Sequence, residues 1–188
     1  MGLAIEPKHQ WSEEQLLSMP HIGKAELIDG RFIVAPAGSE HGGISALLGA
    51  YLLMHVRRHK LGIVFDSSTG FWMNNEDLLS PDVAFVAAAR LKGMKKLPRK
   101  YFRGSPDLVA EVLSPNDRAA EMDRKLDDYF ANGTRLAWIV DPAEKTVRVY
   151  TSRQASHLLT NADTLDGSSL VPGFTLPLAE LFAVPDFD

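Results

Sequence analysis

The stretch that most narrows what this chain can become is residues 106–114, Pro106-Asp107-Leu108-Val109-Ala110-Glu111-Val112-Leu113-Ser114. Leu108, Val109, Ala110, Val112 and Leu113 make an apolar run with the length of a buried strand, and one carboxylate, Glu111, sits near its C-terminal end. Burying a carboxylate is costly unless a cation or a metal compensates it. A second apolar run, Ser80-Pro81-Asp82-Val83-Ala84-Phe85-Val86, carries an acid at its mouth. Two core strands thus each bring in a charge that needs a counterpart, and the expectation is that Asp82 and Glu111 converge on one divalent metal ion.

The 188 residues suit an arm over residues 1–19 followed by one domain over 20–188, with enough apolar content to bury a sizeable core. There are no cysteines, which excludes disulfides, cysteine-zinc sites and thiol catalysis and fits a reducing compartment. No apolar run approaches the roughly 20 residues of a membrane span. The N-terminus lacks a charged start followed by an apolar core, so the protein is expected in the cytoplasm, away from membranes. A net charge of −4 counts against a protein that simply coats nucleic acid and leaves room for one local basic face.

Taken in order, Ser12 is an N-cap candidate for a short helix beginning with Glu13 and Glu14. Asp29-Gly30 between two β-prone runs signals a hairpin. From about Glu40 to His59, Ile44, Leu47, Leu48, Tyr51, Leu52 and His55 recur at helical spacing, and Arg57, Arg58 and His59 suit the negative end of the helix dipole before Leu61-Gly62 stops it. Short strands follow at residues 63–65 and 70–73, a turn at 74–77, and the Asp82 strand opened by Pro81. Residues 90–103 are half basic with no acid and read as a loop or a frayed helix. After the Glu111 strand, Ser114-Pro115-Asn116-Asp117 reads as the start of a helix that runs to Asn132-Gly133. Strands at 136–140 and 146–150 and a short apolar helix near 178–182 complete a mixed α/β sheet with helices packed on it.

Hard divalent cations want oxygen ligands, and two carboxylates plus a backbone carbonyl can hold one. The plainer alternative is that Asp82 caps a turn beside Pro81 and Glu111 pairs with an arginine. Lys125 borders the apolar face made by Met122, Leu126, Tyr129 and Phe130, from where its ammonium can aim at the carboxylates or lie out in water. Under the second alternative Asp123 and Arg124 belong to a solvated face. His41 can bind phosphate, hold a metal or cap its helix, and Glu26 can add an acid to the site or pair at the surface. The basic residues Lys92, Lys95, Lys96, Arg99, Lys100 and Arg103 can neutralise phosphates or form a solvated loop. No G-x-x-x-x-G-K-[ST] loop, H-E-x-x-H or G-x-S-x-G is present.

As an ordered set, Glu26-Leu27-Ile28-Asp29-Gly30, His41, Pro81-Asp82, residues 106–115, Asp123, Lys125, Tyr129 and Trp138-Ile139-Val140-Asp141-Pro142 closely resemble the Uma-two family of restriction-endonuclease-like domains, within the PD-(D/E)XK nuclease superfamily. The resemblance covers roughly residues 20–182. It implies a central mixed sheet flanked by helices and preceded by a β-hairpin, with a magnesium- or manganese-dependent site that cuts phosphodiester bonds. Asp82 and Glu111 match the two metal-binding acids, with the Val112 carbonyl as a third ligand. Leu113 stands where the superfamily has its lysine, and Lys125 matches the helix lysine that takes over that role in this family. Tyr129, Glu26 and His41 would support these groups, DNA would be the substrate with residues 90–103 on its backbone, and a homodimer follows by analogy. The rival readings are a non-catalytic descendant that binds nucleic acid or protein, and a dimerisation scaffold in which Lys125 points to solvent.

Overall fold

The computed structural model describes residues 11–18, 25–34, 38–115 and 117–184. Among them the chain forms, in order, α1 (Glu13–Ser18), β1 (Ala25–Ile28), β2 (Arg31–Val34), α2 (Ser39–His59), β3 (Gly62–Asp66), β4 (Phe71–Trp72), β5 (Leu78–Leu79), β6 (Val83–Ala87) and α3 (Ala88–Leu91). It continues with β7 (Phe102–Arg103), β8 (Leu108–Val112), α4 (Ala119–Ala131), β9 (Leu136–Asp141), β10 (Thr146–Ser152), β11 (Ala155–Leu159), β12 (Thr164–Asp166), β13 (Thr175–Pro177) and α5 (Leu178–Leu181).

Several local expectations are met for identifiable reasons. Ser12 Oγ accepts the Gln15 N–H at 3.1 Å while Gln15 Oε1 accepts the Ser12 N–H at 2.8 Å, a reciprocal cap. Asp29 and Gly30 both adopt positive φ, 53° and 74°, the two-residue turn whose twist matches a hairpin. The stop of α2 lies earlier than expected, at Lys60, which takes the left-handed conformation and returns its N–H to Arg57 and Val56. Gly62 serves a different need: a Cβ there would lie 2.1 Å from the Val86 carbonyl on the paired strand.

Other expectations are corrected. The helix expected from Ser114 begins at Ala119, because the Asp117 carboxylate folds back on the Ser114 N–H at 2.7 Å and closes a turn first. The basic segment is neither one loop nor one frayed helix; it holds α3 at its start and β7 at its end.

The expected mixed α/β architecture, with helices packed on a sheet and an N-terminal hairpin, is present, and among the described residues the strands form three sheets. The large sheet has six strands in the order β11-β10-β9-β8-β6-β3, parallel only between β8 and β9. A five-stranded sheet runs β2-β1-β5-β4-β7, and β12 pairs with β13. The large sheet separates two apolar layers. On one face Val83, Phe85, Leu108 and Ala110 pack with Leu48 and Leu52 of α2 and with the C-terminal segment. On the other, Ala84, Val86 and Val109 pack with Leu126 and Tyr129 of α4 and with Phe71 and Leu79 of the smaller sheet. Strand alternation fixes this division, and it assigns Glu111 to the α4 face, beside Val109.

Candidate functional site

β6 and β8 run antiparallel with Val83 opposite Ala110. One further step of that register puts Asp82, in the bend before β6, opposite Glu111. Both side chains are buried, as is Glu26 on β1. Strand β8 ends here and α4 returns over it, so Glu26 of β1 and Glu111 of β8 meet one helix, with Asp82 of the bend before β6 close by.

The acid on β8 is held by α4. Lys125 Nζ lies 2.7 Å from Glu111 Oε1 and 3.0 Å from Glu26 Oε1, with only 12% of its side chain exposed. Tyr129, one helical turn on, donates its hydroxyl to the same Glu111 oxygen at 2.5 Å. Glu26 is fixed in turn by the Ser80 N–H at 2.9 Å. Burial by itself would lower the Lys125 pKa; the charges of Glu111 and Glu26 and the hydrogen bonds to both outweigh it and hold the ammonium above the ordinary lysine value. Burial, with the charges of Glu111 and Glu26, pushes the Tyr129 phenol well above its usual value. Both groups are therefore donors through neutral pH: one a fixed positive charge, the other a neutral O–H.

Asp82 is held from the other side. Its Oδ2 accepts the Val112 N–H at 2.8 Å and lies 3.0 Å from Nε2 of His41, in the first turn of α2. The Leu113 N–H goes to Val140 on β9. Backbone direction alternates along a strand, so Val112 turns its N–H and its carbonyl toward the β6 side, where Asp82 lies.

As a donor set, the carboxylates of Asp82 and Glu111 with the Val112 carbonyl match the oxygen preference of a hard divalent cation. Among the described residues no three His, Cys, Asp or Glu side chains are arranged to hold a metal ion. Magnesium characteristically takes one or two carboxylates and completes its shell with water and substrate oxygens.

The basic segment is placed elsewhere. It leaves from the C-terminal end of β6 and returns to the start of β8, the end of this strand pair opposite Asp82 and Glu111. Lys92, Lys95, Lys96 and Arg99 are exposed. Lys100 lies 3.9 Å from both Glu13 and Glu14 of α1, and Arg103 pairs with Glu13 at 2.8 Å and stacks over Trp72.

Arg124 keeps 37% of its side chain exposed yet is engaged by two carboxylates. It reaches from α4 to the buried Asp77 at 2.7 Å and pairs with Asp29 in the hairpin turn. The sequence signal for it was slight: a cation one residue before Lys125, facing a turn rich in Asn and Asp.

A family model described as "Putative restriction endonuclease", Uma2, matches residues 12–179. Among solved structures the chain is similar to a protein of Anabaena variabilis ATCC 29413 described as a "putative nuclease belonging to DUF820", with 20% identity and a TM-score of 0.80 over 92% of this chain and 97% of that one. This second likeness shows a shared fold. No curated protein matches the chain.

Proposed function

The chain belongs to the Uma2 family, and on that premise we propose that its buried acid cluster hydrolyses phosphodiester bonds of DNA with a divalent cation, magnesium or manganese, held by Asp82, Glu111 and the Val112 carbonyl. The observation that carries the reading is the reach of Lys125. The superfamily's usual lysine position is Leu113, yet an ammonium arrives from α4 at 2.7 Å from Glu111, so the missing charge is supplied from another element. A lysine with its head in water, as the scaffold reading requires, does not fit a side chain 12% exposed between two carboxylates.

Each group has a task that follows from its state. Lys125, permanently charged, orients the attacking water and stabilises negative charge building on the phosphoryl oxygens. Tyr129 keeps its proton and fixes the rotamer of Glu111. Glu26 holds Lys125 from the far side, and His41 with the Val112 N–H fixes Asp82. Such a cation, when bound, polarises the phosphoryl group and lowers the pKa of a bound water. The water oxygen gives up a proton to solvent as it bonds to phosphorus, the bond to the leaving sugar oxygen breaks, and that oxygen takes up a proton from solvent in its place.

Cleavage of plasmid DNA in magnesium or manganese tests the proposal. Asp82→Ala and Glu111→Ala should each abolish cleavage while circular dichroism and the thermal transition still report a folded chain. Unchanged cleavage by both variants refutes the site.

A further inference from the structure

The turn at residues 74–77 meets α4 in an ordered series of polar contacts. The Asn74 N–H donates to Asn132 Oδ1 at 2.7 Å, Asn75 Nδ2 donates to Asp128 Oδ1 at 2.8 Å, and Arg124 Nη2 donates to Asp77 Oδ2 at 2.7 Å. On α4 and its C-cap these partners are residues 124, 128 and 132, spaced by four, so they form one stripe that ends at the cap. The turn climbs this stripe one rung at a time. It is itself tightly built: Asp77 returns its carbonyl to the Met73 N–H at 2.8 Å, and Glu76 sits at a φ of 70°.

The stripe adjoins the site residues in sequence. Arg124 precedes Lys125, and Asp128 precedes Tyr129. Successive helical residues are about 100° apart, so fixing the 124/128/132 stripe against the turn fixes the direction in which the 125/129 stripe faces. Asp77 Oδ1 also accepts the Asp29 N–H at 2.9 Å, and Arg124 pairs with the Asp29 carboxylate. The same knot therefore holds the hairpin that carries Glu26. Both partners of the Lys125–Glu26 pair are anchored through Asp77.

We propose that this polar zipper is a positioning device for the site: Arg124 and Asp77 set the rotation of α4 and the seat of β1 so that Lys125 lies between Glu111 and Glu26. The positioning claim stands on geometry; its effect on cleavage rests on the function proposed above. Arg124 touches no reacting atom and acts through its neighbour. A guanidinium suits this role because its fork serves two carboxylates at once, which a lysine ammonium on a flexible stem does not.

The test uses the full chain labelled with ¹⁵N-lysine and reads the Lys125 ammonium by NMR. A buried, doubly paired ammonium is protected from exchange with water, whereas exposed lysine ammoniums exchange quickly. Arg124→Ala should broaden or lose that signal at neutral pH and lower kcat by about 10- to 100-fold with KM changed little, as a displacement on the order of 1 Å does. Arg124→Lys should recover part of both. Asp77→Asn, which keeps an oxygen for the Asp29 N–H and removes the charge facing Arg124, should give a milder form of the same change and decides the matter where Arg124→Ala fails to fold. A folded variant whose Lys125 signal matches the wild type overturns the proposal. Should the wild type not cleave DNA, the function proposed above fails, while the NMR readout still judges the positioning.

Discussion

The tripeptide Ser-Pro-Asp occurs at both ends of one strand pair, as Ser80-Pro81-Asp82 before β6 and as Ser105-Pro106-Asp107 before β8. The two aspartates do the same local job. Asp82 caps the Val112 N–H at 2.8 Å, and Asp107 caps the Ala87 N–H at 2.9 Å, each bonding a backbone N–H of the other strand. Each also faces a cationic or potentially cationic group, His41 for Asp82 and Arg90 for Asp107, at 3.0 and 3.4 Å. The difference lies across the ladder. Continuing the register, Asp82 stands opposite Glu111, with Lys125 and Tyr129 behind it, whereas at the other end the regular pairing stops at Phe85 and Leu108, the Asp107 N–H goes to the Phe85 carbonyl at 2.9 Å, and the next β6 residue is the apolar Val86. An aspartate capping a strand end is thus a structural habit of this fold. What sets the Asp82 end apart is the second carboxylate and the ammonium delivered to it.

The sharpest break of this comparison comes from the cations. Lys125→Met takes away the cation that the buried Glu111 and Glu26 share and should cost about 3–5 kcal/mol of stability, with cleavage by the folded fraction down about 10²–10³-fold. Arg90→Met, at the other end, removes a longer and more exposed pair. It should cost no more than about 1 kcal/mol and leave cleavage per folded molecule unchanged. Chemical denaturation and a plasmid assay read both.

Next come the caps themselves. Asp107→Ala and Asp82→Ala each orphan one backbone N–H and should lose about 1–3 kcal/mol. Only the Asp82 variant should lose cleavage, and loss in both would erase the distinction between the ends.

A smaller effect is expected from pH. The Lys125 pKa is raised in the fold, so its contribution to stability is fully present below the unfolded value of about 10.4 and fades only as pH climbs from there through the folded one. Tyr129 is likewise held protonated. Cleavage should not decline between about pH 7 and 9.5 through loss of either proton; a basic limb there that vanishes in Tyr129→Phe would contradict this.

The smallest effect concerns the exposed cations of the 90–103 segment. Replacing Lys92, Lys95, Lys96 and Arg99 by alanine should flatten the salt dependence of DNA binding by up to about 0.9 for each phosphate no longer neutralised, with the rate at saturating DNA unaltered.

What could be read in the sequence follows from where each signal is local. Glu111 announces itself because a charge interrupts an apolar strand, and Asp29-Gly30 because a hairpin needs that pair. The hairpin and β4 could be read, but their joining into a five-stranded sheet was not legible, since β5 and β7 have two residues each, too short for any periodicity. Lys125 could be placed at the border of its helix face, but its direction depended on α4 returning over β8, a tertiary fact. Arg124 looked like surface because Asp77 is distant in sequence, and Asp107 was not weighed beside Asp82 although the same Ser-Pro precedes both. Neighbours across the sheet decide between them, and local sequence does not carry that information.

Calorimetric titration of manganese into the wild type and into Asp82→Asn, Glu111→Gln and Asp107→Asn tests the central claim most directly. The account predicts one ion bound alike by the wild type and Asp107→Asn, with affinity reduced at least about 10-fold, the loss of one charged oxygen ligand, in each of the other two. Equal binding by all four proteins, or an equal loss in Asp107→Asn, would contradict it.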